Sequence, residues 1–144
     1  MRPGTIALVL LVLVLGLAPA LPAEDARFVV VVNPKNPVTT IDHDMLRNIF
    51  LKKRVVWNHG GTIRPIDLSS KFSIREQFVR RVLKKTPAQL KTYWNQQIFS
   101  GKGVPPPEAT SPANVINYVL ANPGAVGYVP SDVELRTAKV VEVK

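Results

Sequence analysis

Residues 27–34 read RFVVVVNP, four consecutive valines opened by Arg27 and Phe28 and closed by Asn33 and Pro34. β-Branched side chains favour the pleated backbone, and an Asn-Pro pair ends it. Hydrophobicity here is continuous rather than alternating. A strand of this kind is covered on both faces, as in an α/β sheet.

The segments downstream answer with helices. In IDHDMLRNIFLKK (41–53), Ile41, Met45, Leu46, Ile49 and Phe50 recur at helical spacing behind Thr40 as a cap. RVVWNHGGTIRPIDL (54–68) holds a Gly60-Gly61 turn between short apolar pieces, which predicts a strand near Ile63 to Leu68. SIREQFVRRVL (73–83) places Ile74, Phe78, Val79, Val82 and Leu83 on one face of an amphipathic helix, and Ser73 with Glu76 fits a capping box. TPAQLKTYWNQQIF (86–99) starts a third helix with Thr86 as cap and Pro87 at the first position; Leu90, Tyr93, Trp94 and Ile98 form its apolar side. After the stiff GVPPP (103–107), a fourth helix runs from Ser111-Pro112 to Asn122-Pro123-Gly124. AVGYVP (125–130) and AKVVEV (138–143) read as closing strands. Strands alternating with helices specify an α/β domain, with Val30, Phe50, Phe78, Val119 and Val126 in its core.

Upstream of Arg27 lies MRPGTIALVLLVLVLGLAPALPAED: a lone Arg2, an apolar run from Thr5 to Leu17, then small residues at Ala18-Pro19-Ala20 and Leu21-Pro22-Ala23. That is the layout of a secretory signal peptide over residues 1–23, cleaved after Ala23 or Ala20, and the run is shorter than the roughly 18 to 20 residues of a membrane span. An uncleaved anchor is the alternative. Residues 24–144 then form one domain, periplasmic or secreted, since about 120 residues suit a single core. With no cysteine, disulfides and thiol chemistry are excluded.

The chain carries 19 Lys and Arg against 10 Asp and Glu, a net charge of +9. For an exported protein this points to anionic solutes, envelope polymers or membrane surfaces rather than nucleic acid. The basic clusters, Lys52 to Arg54, Arg80-Arg81 and Lys84-Lys85, lack the interleaved aromatics of single-strand binders and read as solvated helix faces. His43 and His59 are the only histidines, too few for an ordinary zinc site without cysteine. SGKGV (100–104) lacks the spacing of a phosphate loop, no G-x-S-x-G elbow is present, and no base is paired with a nucleophile. These absences argue against an enzyme and imply no cofactor.

One stretch does suggest ligand chemistry. DLSSKFSIREQF (67–78) crowds Ser69, Ser70, Ser73 and Arg75 where an extended segment hands over to a helix. Hydroxyls, free amides and a guanidinium at a helix start make an oxyanion site. The alternative assigns Ser73 to the capping box and Arg75 to a solvated face, and the Glu76 carboxylate opposes an anion there.

FVVVVNPKNPVTTIDHDMLRNIFLKKRVVWNHGGTIRPIDL (28–68), SIREQF (73–78), YWNQQIFSGKGVPP (93–106) and NPGAVGYV (122–129) together resemble the second half of the type II periplasmic binding proteins of the phosphate-transport kind. The Val29 to Asn33 strand, Ile49 to Trp57 with Gly60, and Pro123 to Val129 follow the family's order. The resemblance implies a small mixed sheet flanked by about four helices, equivalent to one lobe of such a protein. It further implies phosphate or a similar oxyanion as ligand, bound for uptake or sensing, with a membrane transporter or sensor, or a second copy completing the cleft, as partner. Ser69, Ser70, Ser73 and Arg75 are the expected ligand-binding residues. Aligning on Arg75 and Phe78 places Phe72, Ser73 and Ile74 on the family's Ser-Gly-Thr triplet and Leu68 near its arginine, so neither motif is kept. The family closes two lobes around its ligand, whereas this length suits one. An envelope interaction or regulatory module that keeps the fold without a tight small ligand is the competing reading.

Overall fold

In the structure, a computed structural model, residues 27–144 are described; the expected leader and its cleavage sites lie outside them. In chain order the elements are β1 (Phe28–Val32), β2 (Thr40–Ile41), α1 (His43–Phe50), β3 (Arg64–Pro65), β4 (Asp67–Leu68) and α2 (Ser73–Arg81). They continue with α3 (Pro87–Phe99), β5 (Glu108–Ala109), α4 (Pro112–Ala121), β6 (Ala125–Pro130) and β7 (Lys139–Val143). The main sheet runs β2-β7-β1-β6-β3, and β4 pairs with β5 in a small second sheet.

The valine run sits at the centre, as its continuous hydrophobicity requires. Val30, Val31 and Val32 are buried, and β1 is flanked by β6 and β7. Both pairings are antiparallel, while β2 with β7 and β3 with β6 are parallel, so the sheet is mixed. Asn33 ends the run for a specific reason: its buried Nδ2 donates to Val119 O at 2.9 Å and Leu120 O at 3.2 Å, satisfying carbonyls in the last turn of α4.

The strand expected near Ile63 to Leu68 is two strands. The amides of Arg64 and Ile66 donate to Gly124 and Val126, whereas those of Asp67 and Ser69 donate to Pro107 and Ala109. The segment therefore changes partner after Ile66, and β4 faces β5 instead of the main sheet. The β2 and β5 strands, two residues each, were too short to show periodicity.

Helix caps divide in the same way. Thr86 forms a full capping box with Gln89, and Ser111 accepts from Asn114 N, both as expected. For α1 the cap is Asp42, which accepts from Met45 N at 2.7 Å; Thr40 instead lies in β2 opposite Glu142. For α2 the cap position is Phe72, which offers no side-chain acceptor, and the Ser73–Glu76 box is not formed. Ile98, expected on the apolar side of α3, is exposed, while Leu90 and Trp94 are buried.

The core contains all five expected residues, Val30, Phe50, Phe78, Val119 and Val126. Beneath α2 it becomes aromatic: Phe78 stacks on Tyr128 with centroids 3.8 Å apart, and Phe50 meets Phe78 edge-on at 4.7 Å. This cluster fixes α2 and aims the Tyr128 hydroxyl towards β4.

Candidate functional site

Four residues, Ser69 to Phe72, join the end of β4 to the start of α2. Ser69 shapes this turn: its carbonyl accepts from Phe72 N at 3.1 Å, its hydroxyl from Lys71 N at 3.4 Å, and its own amide donates to Ala109 O. Ser70 and Ser73 are exposed, Ser73 as the first residue of α2. The structure thus brings Ser69, Ser70 and Ser73 onto one turn at a helix start whose first amides receive no side-chain cap.

Arg75 is placed differently from an arginine on a solvated face. Its side chain is 17% exposed and its Nε and Nη2 donate to Asp67 Oδ2 at 3.2 and 3.1 Å, with Glu108 Oε1 at 3.4 Å from Nη2. The other Asp67 oxygen accepts from Leu68 N at 2.8 Å and takes a short hydrogen bond from the Tyr128 hydroxyl. Four polar groups from β4, β5, α2 and β6 therefore satisfy one another beside the serine turn. Burial pushes the Tyr128 hydroxyl well above the usual phenol range, and the Asp67 charge pushes it further. For Arg75, burial acts to lower the pKa, but Asp67, with Tyr128 and Glu108, outweighs it and raises the value. The guanidinium stays charged with its charge already matched.

Asp67, Glu108 and Tyr128 escaped the sequence reading. An aspartate between buried Ile66 and Leu68 was the available signal, because a carboxylate flanked by core residues needs a partner. Glu76, which opposed an anion on sequence grounds, pairs instead with Arg80 at 2.9 Å. Among the described residues no cluster of three His, Asp or Glu side chains is placed to hold a metal ion, and no helix is long and apolar enough to cross a membrane.

No protein-family model matches the sequence, and no curated protein matches it. Solved structures do match. An ABC-type phosphate transport receptor from Vibrio cholerae superposes with a TM-score of 0.63 over 82% of this chain and 46% of its own, at 17% identity. PstS from Borrelia burgdorferi gives 0.64 over 83% and 47%, at 14% identity. A phosphate-binding protein from Stenotrophomonas maltophilia gives 0.60 over 83% and 39%, at 20% identity. The chain spans less than half the length of each of these proteins. Its mixed sheet with four helices among the described residues is the fold of a single lobe of the phosphate-type substrate-binding proteins.

Proposed function

We propose that this chain is an exported solute-binding lobe that takes phosphate or a similar oxyanion at the start of α2, serving uptake or sensing. Residues 1–23 act as its leader and 24–144 as the binding domain. The observation that carries the reading is the uncapped start of α2 beside Ser69, Ser70 and Ser73, in a fold shared with phosphate-binding proteins. Free amides and hydroxyls supply donors, and the helix dipole favours a negative charge there. Arg75 contributes as an anchor shared with Asp67, so that the positive potential near the turn is partly spent within the protein. The oxyanion lies over the turn, with Ser73 as its most direct side-chain contact. No reacting group is involved; the role is binding.

A second reading has one observation in its favour. Asp67 and Glu108 already pair with Arg75, which fits a lobe that has given up the ligand and acts as an envelope interaction module. Thermal unfolding in phosphate, sulfate and neutral buffers of matched ionic strength separates the two. A specific ligand stabilises by mass action, so phosphate should raise the Tm of the wild-type chain and do so less for Ser73→Ala. Equal Tm values in all three buffers would reject the binding lobe in favour of the interaction module.

A further inference from the structure

Away from the α2 turn, a cavity of about 360 Å³ opens where the loop after β1 meets the Trp57–Gly61 turn and the start of β6. Lys35, Asn36, Trp57, His59, Arg64 and Gly124 are among the residues that line it, and the described lining contains no Asp or Glu. Lys35 and Arg64 are exposed, and neither makes an ion pair among the described residues. Two unmatched cations therefore share one concave wall. Gly124 at this cavity and Tyr128 at the α2 site are four residues apart along an extended segment, about 13 Å at strand rise.

The frame is preorganised. Trp57 Nε1 donates to Gly124 O at 3.1 Å, and Trp57 N and Gly60 N close the turn onto Gly61 O and Trp57 O. Gly60 and Gly61 hold φ of +92° and +87°, a conformation open to glycine, and the His59 ring stacks on Trp57 at 6.0 Å. One lining residue also carries a buried, unmet donor. Asn36 is 2% exposed, its Oδ1 accepts from Val38 N at 3.0 Å, and its Nδ2 has no hydrogen-bond partner. The Oδ1 bond fixes the orientation of the amide, and the Nδ2 donor stays enclosed behind the lining.

We infer that this cavity is a second ligand site, for an organic anion bearing at least two negative groups, held by Lys35 and Arg64. Its volume suits a molecule larger than inorganic phosphate, and separate cations match separate negative groups better than one compact charge. The site is built from residues that play no part in the α2 turn.

Two probes distinguish the anionic chemistry: citrate for carboxylates and fructose 1,6-bisphosphate for two separate phosphate esters. Each is titrated into the ¹⁵N-labelled chain, with chloride at equal ionic strength as control. At least one should shift the amides of Gly60, Gly61 and Gly124, with affinity about tenfold weaker in the Lys35→Gln/Arg64→Gln double variant and unchanged in Ser73→Ala. Both cations are exposed, so the double variant should keep the wild-type spectrum elsewhere. No shift with either probe, equal affinity in the double variant, or shifts confined to Ser69 to Ser73 would overturn the site. A phosphate response at α2 that survives the double variant leaves the α2 reading standing whichever way this test falls.

Discussion

Removing the Arg75 guanidinium strands the Asp67 carboxylate, which is 12% exposed and left with only Leu68 N and the Tyr128 hydroxyl. Breaking a largely buried ion pair from one side is expensive because the remaining charge stays desolvated. Arg75→Gln should therefore lower stability by about 3 kcal/mol in urea unfolding, and a loss under about 1 kcal/mol would show that solvent already screens the pair. The sequence suggested the opposite, an arginine of little structural weight. Its partners are 8 and 33 residues away, Asp67 on β4 and Glu108 on the two-residue β5, and nothing in the helical spacing revealed them. Tyr128 adds a pH signature. Its pKa is raised above the ordinary value of 10.0, so the folded state holds the phenol proton more tightly than the unfolded state does. That contribution is complete below about pH 10 and is lost as pH rises from there towards the folded value. Stability should fall above about pH 10, and phenolate absorbance from Tyr128 should appear only with unfolding; Tyr128→Phe should remove that part of the alkaline loss.

At the scale of elements, the close approach of the segments leading into the parallel pair β3 and β6 depends on a missing side chain. A Cβ on Gly124 would lie 2.0 Å from the Thr62 carbonyl oxygen, a backbone atom that cannot rotate away. Gly124→Ala should cost about 1 to 3 kcal/mol through overpacking and should loosen the Trp57 bond to residue 124. A variant as stable as wild type, measured by urea unfolding with Trp57 fluorescence as a second probe, would show that the two backbones separate freely. Elements with strong local chemistry were readable: Thr86-Pro87 and Ser111-Pro112 open helices where their residues say they should. The α2 start was misread because its serine pattern is locally correct but the Ser69–Phe72 turn puts Phe72 at the cap. Likewise, the Ile63 to Leu68 segment has a strand's composition throughout. Its break between partners is set by Val126 and Ala109, which lie far along the chain.

For the molecule as a whole, alternation of strands and helices was enough for the α/β class, while the antiparallel seat of β1 between β6 and β7 was not. Pairing direction depends on which segments meet, and composition carries no record of it. The same scale decides affinity. If the lobe takes an oxyanion at the exposed α2 turn, the ligand stays wet on one side, where each hydrogen bond competes with water and contributes little. Phosphate should bind the wild-type chain with a Kd of about 1 mM or weaker, since half a pocket must still offset the lost freedom of the ligand. If a second copy closes the cleft, each bound phosphate also draws two chains together. Apparent affinity must then rise with protein concentration, and the sedimentation coefficient must rise with phosphate. Calorimetry at two protein concentrations about tenfold apart, with sedimentation at the same points, measures both. Tight binding independent of concentration would mean that one lobe suffices and that the turn is more enclosed by its own residues than Ser70 and Ser73 allow. Weak binding that does not strengthen with concentration would assign the other half of the cleft to a different protein.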